Sequence, residues 1–143
     1  MLVLLPLLFQ TSPVPPMPQL PACSFDRPAM LVERKADLPA DVIAELERLF
    51  RRGKGIAEAN SFFETSDAPI TDAPQTRFLR AYQLDDHWII WFEPGGAVPT
   101  MLVLAPSRGD DGKIGLYAQP GSHFMGDLCV ASHAYLMGVR SAG

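Results

Sequence analysis

The sequence predicts an α+β domain in which a four-stranded antiparallel meander carries an N-terminal and a C-terminal helix, both packed on one face. Three observations predict this class. Apolar residues recur at helical spacing between residues 40 and 50, strand-like runs joined by short turns follow between 77 and 118, and a second helical pattern extends from about 124 to 140. Because the connections between the strand-like runs are short, neighbouring strands are expected to be antiparallel.

Length and composition fit one domain, which we assign to residues 23–143. The chain has 143 residues, of which 48% are hydrophobic and 9% aromatic, enough for a buried core. The formal net charge is −4 and no run of Lys or Arg occurs. Nucleic acid is therefore not expected as a partner.

Residues 1–22 read as an apolar run followed by a Pro-rich segment. The run MLVLLPLLF is too short to span a bilayer, which requires about 20 residues. The uncharged stretch TSPVPPMPQLPA follows it, and together they resemble a signal peptide with an extended continuation. No Lys or Arg precedes the run. We expect a periplasmic or secreted protein without a transmembrane span, and the alternative is a disordered tail on a cytoplasmic protein.

The two cysteines, Cys23 and Cys129, are expected to form a disulfide, since an even cysteine count is typical of exported chains. The residues LPAC that end at Cys23 offer an alternative, because they faintly resemble the box at which bacterial lipoproteins receive a lipid anchor. In such proteins the box directly follows the apolar run. Here polar and Pro residues intervene, which favours the disulfide.

The first helix is predicted between a cap at Asp37 or a neighbouring residue, with Pro39 in the first turn, and a stop at Gly53. Its apolar stripe consists of Val42, Ile43, Leu46, Leu49 and Phe50. Met30–Val32 suggests a brief strand or a packed irregular segment. Residues 54–76 contain two Asp-Ala-Pro steps and are predicted to be a loop.

Strands are predicted near 77–84, 87–93, 100–105 and 113–118, followed by the second helix. If Asp85 and Asp86 form a two-residue turn, the numbers of opposite residues in the first hairpin sum to 171. One face of the hairpin is then mostly apolar and is expected to lie beneath the helices. It carries Leu79, Ala81, Gln83, Trp88, Ile90 and Phe92.

The other face of the hairpin mixes aromatic and charged side chains, a composition typical of interfaces. Arg80 is expected to stack on Trp91. This predicted binding face consists of Phe78, Arg80, Tyr82, Ile89, Trp91, Glu93 and Tyr117. The function predicted from it is a non-enzymatic exported domain that binds a protein partner or a second copy of itself. The alternative is that the N-terminal segment and the 54–76 loop cover this face with Phe25, Met30, Leu31, Phe62 and Phe63.

Catalytic motifs are not evident, and no cofactor is predicted. The pairs Asp85/Asp86 and Asp110/Asp111 lie in predicted turns, where Asp is favoured for local hydrogen bonding. Cys129 and His133 are four residues apart on the second helix, and His123 lies six residues before Cys129. A small metal-binding protein or enzyme that uses these three residues is therefore the alternative function.

Overall fold

The computed structural model describes residues 13–98, 100–115 and 127–138, which form an α+β fold with an antiparallel sheet and a helix on each of its faces. The elements in chain order are β1 (Met30–Val32), α1 (Ala40–Leu49), β2 (Thr76–Leu84), β3 (His87–Pro94), β4 (Leu102–Leu104), β5 (Ser107–Arg108), β6 (Ile114–Gly115) and α2 (Leu128–Leu136).

The sheet is built around the β2–β3 hairpin. β1 pairs with the outer side of β2. Two strands share the opposite edge of β3: β4 pairs with residues 90–92, and β5 pairs with His87. β6 in turn pairs with β5. The predicted class is therefore confirmed, but the exact four-stranded meander is not. The last predicted strand begins at Ile114, and residues 116–118, with Tyr117, lie outside the described residues.

The hairpin turns at Asp85 and Asp86, as predicted, and Asp85 has the left-handed φ of 53° that Asp tolerates in tight turns. The predicted pairing is correct from Arg80↔Trp91 to Leu84↔His87. A bulge at Leu79 shifts the remaining pairs, so that Phe78 lies opposite Phe92 instead of Glu93. Each side chain before the bulge consequently changes its face.

Helix α1 begins after Pro39, which occupies the cap position, whereas Asp37 lies in a preceding one-turn 3-10 helix. The helix ends at Leu49, and a second 3-10 turn continues to Gly53. Its buried residues Val42 and Leu46 belong to one core cluster with Phe78, Ala81, Trp88, Ile90, Phe92 and Leu104 from the sheet.

Helix α2 packs on the opposite face of the sheet, so the prediction that both helices share one face is wrong. Its buried residues are Leu128, Ala131, Ser132 and Tyr135, and the apolar ones form a second cluster with Leu79, Tyr82, Leu84, Ile89, Trp91 and Val103. Ile89 and Ile90 are neighbours in β3 and point to opposite faces. Because both faces of β3 are covered, its residues from Trp88 to Phe92 are all apolar.

The Pro-rich segment from residue 15 onward packs on the domain. The guanidinium of Arg77, which has no exposed area, donates hydrogen bonds to the carbonyl oxygens of Pro15 (2.7 Å) and Pro16 (3.1 Å). Met17 contacts both core clusters, and Leu20 contacts the second. Among the described residues, no helix has the length and apolar character needed to cross a bilayer.

Candidate binding site

The predicted binding face is largely buried in the core. Trp91 and Ile89 have no exposed area and Tyr82 is 7% exposed. The indole Nε1 of Trp91 donates a hydrogen bond to Ser132 Oγ at 2.8 Å, and that hydroxyl donates to the carbonyl oxygen of Leu128 at 2.7 Å. The alternative interpretation, in which the chain covers this face itself, describes these side chains. An open surface centred on Trp91 is therefore not available for a partner.

The N-terminal segment covers part of this face through Phe25, as the alternative expected, but α2 takes the place of the 54–76 loop. Most of the cover is α2, while the N-terminal segment contributes Leu20 and Phe25, whose ring meets Tyr82 edge-on at 5.0 Å. Phe63 lies elsewhere, against Arg77. Met30 and Leu31, which were expected to contribute cover, are 58% and 48% exposed.

The remaining members of the predicted face separate in the structure. Phe78 lies on the α1 side of the sheet because of the bulge at Leu79. Glu93 Oε1 accepts a hydrogen bond from Arg77 Nε at 2.7 Å. Arg80 stays partly accessible and has no ionic partner among the described residues, and its guanidinium carbon lies 5.9 Å from the centre of the Trp91 ring, as predicted.

Arg80 lines a cleft of about 460 Å³ that lies between the N-terminal segment and the residues directly after β1. Its apolar lining residues include Met17, Leu20 and Leu79, whereas Glu33, Arg34 and Asn60 supply polar groups. Arg34 was not among the predicted site residues. It lies in the charged stretch ERK directly after the β1 residues, and such a stretch is more often a solvated surface than a binding site.

The guanidinium groups of Arg34 and Arg80 form no hydrogen bond or ion pair with any residue in the described part of the chain. Glu33 lies in the same cleft, yet it is not paired with either of them. Arg34 is exposed, whereas Arg80 is partly buried, so its guanidinium has lost part of its hydration and still presents its N–H donors. A carboxylate group suits the planar fork of an arginine side chain.

The cleft adjoins β1, which is an edge strand. β1 pairs with β2 on one side only, and its opposite edge has no partner strand among the described residues. Met30 and Leu31 expose large apolar side chains at this edge. An uncovered edge strand with apolar side chains is a site at which an extended segment can add by main-chain hydrogen bonding.

The predicted disulfide between Cys23 and Cys129 is present. His133 lies beside it, and the potential ligand atoms of Cys23, Cys129 and His133 are all within 4.8 Å of one another. His123, the third residue of the predicted metal site, lies outside the described residues. While the two sulfurs are bonded to each other, neither is a thiolate, and the cluster cannot hold a metal through them.

No family model, curated protein or solved structure matches this chain.

Proposed function

We propose that the protein is an exported, non-enzymatic binding domain that holds an acidic segment of a protein partner at the cleft of Arg34 and Arg80. Export is supported by the disulfide, which is typical of oxidising compartments, and by the apolar run at residues 1–9. The observation that carries the binding proposal is the half-buried guanidinium of Arg80, which lacks an anionic partner among the described residues.

Three features favour a protein segment over a small anion. Two of the residues that line the cleft, Glu33 and Arg34, directly follow β1, so a bound chain can extend from the cleft along Met30 and Leu31. An added strand gains affinity from main-chain hydrogen bonds and specificity from alternate side chains. Carboxylates on such a strand meet two guanidinium groups, and the Trp91 ring holds that of Arg80 in place.

A second copy of the chain remains a possible partner because edge strands with exposed apolar residues also pair with each other. The two arginines favour an acidic segment, because a guanidinium group interacts more favourably with an anion than with the neutral edge of a second copy. Sedimentation velocity over a range of protein concentrations distinguishes the two. Self-association that disappears in Leu31→Lys, without any effect of Arg80→Ala, identifies the second copy.

The test uses a synthetic peptide with alternating valine and glutamate and a matched peptide with alternating valine and lysine. We expect the glutamate peptide to bind the oxidised protein and the lysine peptide not to bind. Arg80→Ala should weaken binding about tenfold or more, because a charge-assisted hydrogen bond contributes about 1.5–3 kcal/mol. Arg80→Lys should restore only part of the affinity because it loses the planar fork.

Two control variants make the result specific. Arg52→Ala removes an exposed arginine that lies in the turn after α1, outside the cleft, and should leave the affinity unchanged. Trp91→Ala should lower the melting temperature strongly, because Trp91 is fully buried and large-to-small changes of this kind cost about 3–5 kcal/mol. Equal affinity of wild type and Arg80→Ala, or equal binding of the two peptides, contradicts the proposal.

A further inference from the structure

The cluster of Cys23, Cys129 and His133 combines the ligand types that zinc prefers. Cys129 and His133 are separated by one turn of α2, and Cys23 is brought to them from the N-terminal segment. Their ligand atoms all lie within 4.8 Å of one another, and His133 is exposed, so an ion has access from solvent. Nothing in the proposed binding function uses these three residues.

Contacts other than the disulfide hold His133 in this position. Its Nε2 lies 2.8 Å from the carbonyl oxygen of Ser24, and its ring stacks on Phe25 with the centroids 5.3 Å apart. Phe25 in turn packs against Tyr82 in the second core cluster. Because Ser24 and Phe25 directly follow Cys23, these contacts keep Cys23 near α2 even when the bond between the sulfurs is broken. A carbonyl that fixes an imidazole ring is a common companion of metal-binding histidines.

We propose that reduction of the Cys23–Cys129 disulfide converts this cluster into a zinc site. The reductant is a dithiol, which supplies two electrons and two protons and is itself oxidised to a disulfide, leaving Cys23 and Cys129 as thiols. Each thiol loses its proton when Zn²⁺ binds, and both protons pass to solvent. Two thiolates and the His133 imidazole then hold the ion, and a water molecule completes the tetrahedron.

The backbone geometry suits both states. With Zn–S bonds of about 2.3 Å, a tetrahedral ion separates two thiolate sulfurs by about 3.8 Å. The Cα atoms of the two cysteines are 5.3 Å apart. Rotation about the side-chain bonds therefore suffices to move the sulfurs from the bonded to the metal-binding distance. The oxidised protein has no thiolate in this cluster and binds no zinc there, so the redox state decides whether the site exists.

The test is a titration of oxidised and reduced protein with Co²⁺ as a spectroscopic substitute for zinc, after reduction with a phosphine, which adds no competing thiol. We expect the reduced protein to bind one equivalent and to show thiolate-to-cobalt charge-transfer absorption that added Zn²⁺ removes. The oxidised protein should show none. His133→Ala should weaken binding at least tenfold, whereas His87→Ala, an exposed histidine at the start of β3, should not change it.

Thermal unfolding provides a second measurement. Zn²⁺ should raise the melting temperature of the reduced protein and leave that of the oxidised protein unchanged, since a ligand that binds only the folded state stabilises it. The proposal is overturned if reduced protein shows no thiolate-to-cobalt absorption, if His133→Ala binds as tightly as wild type, or if reduction unfolds the chain and Zn²⁺ does not refold it. None of these outcomes affects the arginine cleft, which lies elsewhere on the domain.

Discussion

Glu64 organises the long connection between α1 and β2. Glu64 is only 3% exposed. Its carboxylate accepts hydrogen bonds from Thr71 Oγ1 at 2.7 Å and from the backbone amides of Thr71 and Ser66 at 3.1 Å each. These donors favour the ionised form and lower the pKa of Glu64 to about 2. The Glu64 carboxylate thus holds the turns at Ser66 and Thr71 together.

Acid should therefore weaken the protein through Glu64. The ordinary pKa is 4.5 and the folded pKa is about 2, so the carboxylate contributes its full stabilisation above pH 4.5 and loses it progressively as the pH falls toward 2. Glu64→Gln should be less stable than wild type at pH 7, and the difference should shrink between pH 4.5 and pH 2. Urea unfolding of both proteins at several pH values measures this.

A matched variant separates Glu64 from the other acidic groups. Asp72 is exposed and its pKa is lowered by a hydrogen bond from Lys54 at the surface. Asp72→Asn should change stability little at any pH, because exposed ion pairs are weak. If the difference between wild type and Glu64→Gln does not depend on pH, the hydrogen bonds to the carboxylate do not stabilise the fold as described.

The strand pairing of the first hairpin is predicted correctly up to the bulge at Leu79 and incorrectly beyond it. The turn at Asp85 and Asp86 fixes the pairing of the nearest residues, and the Arg80–Trp91 contact follows from it. The bulge carries no glycine or other side-chain marker, so the exchange of Phe78 and Leu79 between faces was not visible. The cleft at Arg80 was missed because its other residues come from distant parts of the chain.

The N-terminal segment and α2 act together as the cover of one sheet face. The sequence predicted the existence of α2 and its bond to Cys23, but its amphipathic pattern is weak because small residues such as Ala131 and Ser132 form the contact. Nothing in such a pattern assigns a helix to one face of a sheet or the other. An apolar β3 with no alternation does indicate that both faces are covered, and the structure confirms that both are.

Arg77 attaches the N-terminal segment to the sheet, so Arg77→Met should release that segment. Besides its bonds to Pro15 and Pro16, the guanidinium donates to the Ser61 carbonyl at 3.1 Å and is paired with Glu93. Breaking a buried pair by removing one partner typically costs about 3–5 kcal/mol. The carbon-13 signal of the Met17 methyl group should move toward its value in an unfolded chain, and the urea midpoint should fall.

Two further variants test the cause of that loss. Arg52→Met removes an exposed arginine and should change neither the Met17 signal nor the midpoint. Adding Glu93→Gln to Arg77→Met should recover part of the lost stability, since the carboxylate is then no longer left unpaired. An unchanged Met17 signal in Arg77→Met contradicts the role given to Arg77.

For the molecule as a whole, the disulfide joins the two ends of the described fold across a sequence separation of 106 residues. Its main effect is expected in the unfolded chain, where it removes conformational freedom from nearly the whole domain. The chain-entropy relation gives about 4–5 kcal/mol for a loop of this length. That is a large share of the 5–15 kcal/mol typical of folded proteins, so the stability of this domain is tied to an oxidising environment.

Replacing both cysteines by serine should therefore lower the free energy of unfolding by up to about 4–5 kcal/mol without changing the fold. Urea unfolding should show a lower midpoint and a steeper dependence on denaturant, because the uncrosslinked chain expands further and exposes more surface when it unfolds. The contacts of His133 with Ser24 and Phe25 should persist in the folded variant and preserve the Tyr82 environment. A loss below about 1 kcal/mol with an unchanged slope would show that the bond constrains the unfolded chain far less than its length implies.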